Sequence, residues 1–448
     1  MKNILVIGAG LSTYNLVEYL KNQASKRDWN IVIADKSLET AKARANGHPN
    51  VKAIALDVTN DEQRKALILA ADVVVSMLPA HMHVSVAKDC IEQKKHMVTA
   101  SYISKEMQEL NQSAIDSGSI IINEIGLDPG IDHLSAKKVL DTIKSQGGKI
   151  LIFESFTGGL VAPQSDTNPW NYKFTWNPRN VVLAGAAGAV KFKQEGLYKY
   201  IPYHQLFRRT EPIYIDGYGS FEGYANRDSL SYRDVYGLEE IPTIFRGTLR
   251  KPGFCRSWDV FVKLGMTDDS YTLENSENMT FREFLNTFLA YNPHDSVELK
   301  LKHYLSIPQD SDLIAKLDWL GMFSQEKVGI KNASPAKILQ HILEQKWSLE
   351  PDDKDMIVMY HKFGYEINGE KKMIESSMVT EGKSQQDTAM ARTVGLPVAI
   401  AVKQILTGNI STPGVQIPIS KEIYEPMLAE LEEFGIRFVE KEIEYKGY

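Results

Sequence analysis

Asn3-Ile4-Leu5-Val6-Ile7-Gly8-Ala9-Gly10-Leu11-Ser12-Thr13 opens the chain with an unbroken apolar run that stops at two glycines one residue apart. Such a run reads as a strand buried on both faces, and Leu16, Val17 and Leu20 behind it keep helical spacing. Strand, glycine turn and helix in that order begin a doubly wound sheet. The rhythm repeats, with apolar runs at 30–34, 51–56, 72–77, 97–99 and 120–123 separated by amphipathic stretches. The fold class is therefore α/β, with a doubly wound Rossmann domain over 1–130.

The glycine turn suggests a dinucleotide. Gly8 and Gly10 permit a tight turn and let the backbone at Leu11, Ser12 and Thr13 approach a pyrophosphate on the helix N-terminus. Thr13 replaces the third glycine of the fingerprint, which implies a less close helix–strand contact. Asp35 ends the second run 22 residues after Thr13, the spacing at which a carboxylate accepts from ribose hydroxyls. Its charge would repel a 2′-phosphate, so NAD is favoured. Lys36 softens that preference and keeps NADP open. Asp57 closes the third run and could receive the adenine amino group, or simply cap its own loop as an Asx turn.

Composition narrows the rest. A chain of 448 residues, 43% hydrophobic and 24% charged, is long enough for two or three domains. A net charge of −6 gives no basic footprint for nucleic acid or an anionic membrane. Two cysteines, Cys90 and Cys255, are too few for a disulfide framework, and no ligand spacing for a metal is seen. A reducing, cytoplasmic setting is expected, since the N-terminus lacks the features of a signal peptide. The apolar stretch from Val394 to Leu406 is broken by Pro397 and Lys403 and is too short to span a bilayer.

Beyond Gly130 the rhythm changes. Longer strands at 150–156, 211–218 and 242–249, antiparallel in appearance, mark a second α/β domain over 131–384 with a helical insert at about 266–350. Runs at 354–365 and 370–380 flank Asn368-Gly369, a strong hairpin signal. Residues 385–448 are expected to form a C-terminal segment returning to the Rossmann domain.

Five segments are more specific. They are 98–104 (Val-Thr-Ala-Ser-Tyr-Ile-Ser), 123–133 (Asn-Glu-Ile-Gly-Leu-Asp-Pro-Gly-Ile-Asp-His), 226–229 (Asn-Arg-Asp-Ser), 244–250 (Ile-Phe-Arg-Gly-Thr-Leu-Arg) and 354–359 (Lys-Asp-Met-Ile-Val-Met). With these the chain resembles the glutamate-forming saccharopine dehydrogenases, also called saccharopine reductases, from Ile4 to about Leu431. The resemblance implies a substrate-binding second domain that dimerises. It also implies interconversion of saccharopine, NAD(P)+ and water with L-glutamate, 2-aminoadipate 6-semialdehyde and NAD(P)H. Hydride would leave the carbon attached to the secondary nitrogen, and water would split the resulting imine.

Saccharopine carries three carboxylates and an amine, which demand fixed cations and one nearby anion. By resemblance Ser101, Tyr102, Asp128, Arg227, Arg246, Gly247 and Thr248 bind it, the backbone of 246–248 included. Asp128 is the catalytic candidate, facing the amine, although Asp-Pro-Gly also reads as a helix start with Asp128 as N-cap. Val58, Leu78, Ala100, Ser101, Leu127 and Trp176 join the turn residues in holding the cofactor. Trp176 reads equally as a core aromatic, His133 as buried against the sheet, and Glu124 as an ion-paired anchor for its loop. Thr157-Gly158-Gly159 stands where the family often has Cys-Gly-Gly, so no thiol is needed. Two rivals are a related imine reductase such as carboxynorspermidine dehydrogenase, whose substrate has a different carboxylate count, and a non-catalytic dinucleotide sensor.

Overall fold

The six apolar runs become six strands in chain order: β1 (Lys2–Ile7), β2 (Trp29–Asp35), β3 (Val51–Ala55), β4 (Val73–Ser76), β5 (His96–Val98) and β6 (Ile120–Ile122). The structure, a computed structural model, describes residues 1–184, 188–308 and 310–447. Helices α1 (Tyr14–Lys26), α2 (Leu38–Ala45), α3 (Asp61–Leu69), α4 (His83–Glu92), α5 (Lys105–Gln108) and α6 (Asn111–Ser117) fill the connections, and α7 (Ile131–Ser145) follows β6. β1 lies inside the sheet, parallel to β2 (Ile4↔Ile31) and to β4 (Ile4↔Val73). Ile4, Val6, Ile31, Ile33 and the whole of β4 are buried, which is why these strands read as continuous apolar runs and not as alternating ones.

After α7 the chain runs through β7 (Lys149–Val161), β8 (Val190–Gln194), β9 (Leu197–Ile201), β10 (Thr210–Ile215), β11 (Gly219–Ala225), β12 (Thr243–Arg250) and β13 (Asp355–Ile367). β10, β11 and β12 pair antiparallel, but β12 and β7 run parallel (Phe245↔Glu154), so this sheet is mixed. Among the described residues no strand lies between 251 and 354, where short helices such as Phe281–Thr287, Val297–Leu305 and Pro335–Trp347 form the expected insert. Trp170, Tyr172, Phe254, Trp258 and Trp347 form an aromatic core, Phe254 stacked on Trp258 and the other pairs edge-on or tilted.

The chain then forms β14 (Glu370–Glu381), helix Ala389–Leu406, β15 (Gly414–Gln416), helix Lys421–Glu433 and β16 (Val439–Ile443). The hairpin expected at Asn368-Gly369 is present, both residues at positive φ (52° and 81°) as its turn requires. β15 pairs parallel with β6 and completes a seven-stranded order β15-β6-β5-β4-β1-β2-β3.

Two compact units result, Met1–Ile150 with Tyr365–Tyr445, and Leu151–Gly364 with the last residues from Lys446. Their edges fall away from 130 and 384. α7 packs on helix Lys421–Glu433, with the Tyr424 hydroxyl 3.1 Å from Asp141, and β14 pairs with β16, so both flanks join the first unit. The helical pattern read at 387–406 forms helix Ala389–Leu406, with Pro397 inside it. Ala389–Leu406 is long and apolar enough to cross a bilayer by composition, but 78% of it is buried, packed on α1 as a core helix. A Cβ on Gly395 would meet Ser12 O at 2.8 Å. Such packing outweighs the backbone bond that proline removes.

Glu154 on β7 is buried and pairs with Lys362 of β13 at 2.6 Å. Desolvation dominates over that partner and pushes its carboxyl up to about 7. A carboxyl raised in the fold holds its proton there more tightly than in the unfolded chain. The stability it contributes is complete below its ordinary pKa and is lost as pH rises through about 7. Melting temperature should therefore fall between these limits, and Glu154→Gln should flatten that slope. A variant with the wild-type slope would place the titration elsewhere.

Candidate active site

The glycine turn is built by sterics and backbone bonds. Gly8 sits at φ 100°, and a Cβ there would meet Met77 O at 2.7 Å, so only glycine fits beside the end of β4. A Cβ on Gly10 would meet nothing within 4 Å, and Leu11 is 81% exposed. Gly10, Leu11 and Ser12 open the helical segment, whose first N–H groups have no partner inside it. Thr13 is buried and its hydroxyl donates to Gly10 O at 2.6 Å, bracing the turn from inside. This open, donor-rich turn fits a pyrophosphate.

Asp35 has a different task from the one expected. Its Oδ2 accepts from Ala9 N–H at 2.8 Å and its Oδ1 from Ser37 N–H at 2.9 Å, so the carboxylate ties the glycine turn to the end of β2. Spare lone pairs could still take a ribose hydroxyl. Its negative charge, however, is partly met by two backbone donors. Arg44, on α2, donates to the carbonyls of Ala9 (3.3 Å) and Gly10 (3.1 Å) and lies over the Tyr14 ring. A guanidinium at this turn is what accommodates a 2′-phosphate. The NAD preference read from Asp35 assumed an unengaged carboxylate and overlooked Arg44, for which the only sequence signal was an arginine on the helix after the second strand.

The remaining cofactor candidates of this unit line the same edge. Asp57 caps its own loop, with Oδ1 accepting from the Thr59 N–H and hydroxyl, and those bonds hold its pKa below the usual range. Val58 and Leu78 pack half-buried on the sheet core, and Ala100 follows β5. A Cβ on Gly126 would touch the Ala100 methyl at 2.9 Å, so that glycine admits the loop holding Leu127 and Asp128.

Ser101, half-buried, and Tyr102, exposed, lie in the loop after β5. Glu124 fastens it. At φ 57° its N–H donates to Ser101 O (3.0 Å), its Oε1 accepts from Ile103 N–H (2.9 Å) and its Oε2 pairs with His133 Nε2 (2.8 Å). Both expectations for Glu124 and His133 hold: the carboxylate anchors the loop, and the imidazole is buried.

Asp128 is not the helix cap. α7 begins at Ile131 with Gly130 in the cap position, and Gly130 N–H donates to Asp132 Oδ1 at 2.6 Å. The segment doubles back instead, Gly126 N–H bonding Pro129 O and Ile131 N–H bonding Gly126 O, both at 2.9 Å. Asp128 sits half-buried at the outside of this fold, two residues past Gly126.

The second unit holds the arginines. Arg227 is exposed, at φ 44°, in the loop after β11. Arg246 is buried on β12, its guanidinium 3.8 Å from the centre of the Tyr232 ring and its N–H donating to Ser229 Oγ at 2.9 Å. The loop is fastened to it, since Asn226 N–H donates to Arg246 O at 2.8 Å. Sequence reasoning assigned carboxylate contacts to the backbone of 246–248 as well. The geometry removes that part. β12 is flanked by β11 and β7, with Gly247 opposite Ala225 and Phe156, so its backbone serves the ladder. Gly247 is small because a Cβ would strike the Phe156 ring at 2.5 Å. The side chains of Arg246 and Thr248 remain. Trp176 is 41% exposed, which excludes the core-aromatic reading.

Comparison with known proteins covers nearly the whole chain. Residues 4–122 match the model of the saccharopine dehydrogenase NADP binding domain, and 126–436 that of the saccharopine dehydrogenase C-terminal domain. A relative from Schizosaccharomyces pombe, saccharopine dehydrogenase [NADP(+), L-glutamate-forming], is 35% identical over 454 residues, covering 99% of this chain and all of the relative. The mouse mitochondrial alpha-aminoadipic semialdehyde synthase is 34% identical over 98% of this chain, which spans 47% of that longer protein. The solved apo saccharopine dehydrogenase (L-Glu forming) from Saccharomyces cerevisiae superposes with a TM-score of 0.90 at 35% identity, covering 99% of this chain and 100% of its own.

Proposed function

This chain belongs to the saccharopine dehydrogenase family, and from that premise we propose that it interconverts saccharopine and water with L-glutamate and 2-aminoadipate 6-semialdehyde. It is an oxidoreductase of lysine metabolism. The observation that supports the specific reaction is the doubled-back 126–131 segment, which holds Asp128 near the loop of Ser101 and Tyr102, with Gly130 in the cap position of α7. A bound nicotinamide supplies the hydride acceptor in one direction and the donor in the other. The chain's own residues do the remainder. Asp128 balances the charge of the substrate's secondary amine and takes its proton. Ser101, Tyr102, Arg227, Arg246 and Thr248 bind carboxylates, and Trp176 shields the reacting end from water. The test is absorbance at the nicotinamide band with purified protein, saccharopine and either cofactor. No saccharopine-dependent reduction would end the reading.

For the cofactor we propose NADP. Both oxygens of Asp35 already accept from the Ala9 and Ser37 N–H groups, and Arg44 brings a cation to the turn. Arg44→Ala is expected to lower kcat/KM for NADP about tenfold, the loss of one charged hydrogen bond, with a much smaller effect on NAD. Equal losses with both cofactors would reduce Arg44 to a brace for the turn. We propose further that the enzyme is a homodimer in the cytoplasm. Two buried, unpaired cysteines suit a reducing compartment, and sedimentation and cell fractionation test the two statements.

A further inference from the structure

His83 opens α4 just behind β4 and is buried, with both ring nitrogens bonded: Nδ1 to Ser76 Oγ at 2.8 Å and Nε2 to Ser101 Oγ at 2.7 Å. Ser76 ends β4, is wholly buried, and has His83 as the one partner of its hydroxyl among the described residues. A buried hydroxyl that kept its proton unbonded would forfeit its hydration without return. Ser76 therefore donates to Nδ1. A neutral imidazole accepting at Nδ1 carries its proton at Nε2, and that N–H donates to Ser101 Oγ.

The consequence falls on Ser101. Its N–H donates to Thr99 Oγ1 (3.3 Å), its carbonyl accepts from Glu124 N–H (3.0 Å), and its Oγ accepts from His83. What is left is the hydroxyl proton, turned away from the ring in a half-buried loop at the carboxyl edge of the sheet, where ligands bind in such folds. We propose that His83 is a positioning residue, which holds the Ser101 hydroxyl as a dedicated donor to a carboxylate oxygen of the substrate. The proposal rests on the reading of Ser101 as substrate-facing. Burial, with a smaller effect from His81, pulls the His83 ring down to about 4, which keeps it neutral in an ordinary assay.

Two measurements decide it. Nitrogen NMR of the histidine rings reports the tautomer without any substrate, and a protonated Nε2 with a bare Nδ1 is expected for His83. The reverse tautomer overturns the proposal. In steady-state kinetics Ser101→Ala should raise the saccharopine KM about tenfold with a smaller change in kcat. His83→Asn, which can still meet Ser76 but is too short to reach Ser101, should do the same. His83→Gln, whose amide reaches as far as Nε2, should restore most of the loss. The Ser101→Ala and His83→Asn double variant should be no worse than either single one, since both remove the same bond. Additive losses, or a wild-type KM for His83→Asn, overturn the role of His83 while leaving Ser101 in the site. A wild-type KM for Ser101→Ala removes Ser101 from the site, and the proposal with it. Should His83→Asn not fold, the tautomer and the Gln variant carry the decision.

Discussion

Asp128→Asn is expected to cost about ten- to a hundredfold in kcat/KM for saccharopine while the melting temperature and the affinity for cofactor stay at wild-type values. The magnitude is that of a hydrogen bond to a charged group, roughly 1.5–3 kcal/mol. Fold should be spared because the cap position of α7 belongs to Gly130, whose N–H is satisfied by Asp132. Asparagine keeps the shape of Asp128 and removes only its charge. Steady-state kinetics, thermal melting and cofactor titration on one preparation make the comparison. A variant that melts early would return Asp128 to a structural role. Unchanged kinetics would leave the substrate amine without its counter-charge.

Gly130→Ala should do the opposite and damage the fold itself. A Cβ at this position would lie 2.0 Å from Gly126 O and 2.2 Å from Gly126 N, at φ 147°, where residues with a side chain are strained even in open space. Neither obstacle is a side chain that can swing aside. The segment 126–131 must open, at a cost of about 3 kcal/mol or more, from overpacking and backbone strain together. The expected result is poor soluble yield and a melting temperature lowered by many degrees. A variant within about two degrees of wild type would mean that Gly126 and Gly130 are not in contact.

Much of the first unit was legible because its central strands β1, β4, β5 and β6 are largely buried on both faces and read as runs without alternation, while β3, at the sheet edge, is only half-buried. The second unit was read less well. β8, β9 and β11 are short or partly exposed, and Gly219 and Gly223 blur the last of them, so no run stands out. That β12 and β7 are parallel follows from topology, which no single segment encodes. In the candidate site the residue types were visible and their duties were not. Asp35 stands at the expected spacing, but one of its two backbone donors, Ala9 N–H, lies in a glycine turn that only folding brings to it, while the other, Ser37 N–H, is two residues on. Glu124 joins the loop of Ser101 and Ile103 to His133, and His83 joins Ser76 to Ser101, with no spacing rule to reveal either. The family segments located the site. Geometry separated the residues that display groups from those that hold them.

The strand order also sets a sequence of events during synthesis. β6 waits for β15, which follows about 290 residues later, and the face of α1 waits for helix Ala389–Leu406. At roughly 10 residues per second a ribosome takes about half a minute to deliver them. Through that interval the nascent first domain presents an unpaired strand edge and an uncovered apolar helix, the surfaces on which chains aggregate. The first unit to emerge is thus the last to close, and a fragment ending near Ile150 should stay bound to chaperones or precipitate, even though it contains the whole dinucleotide turn.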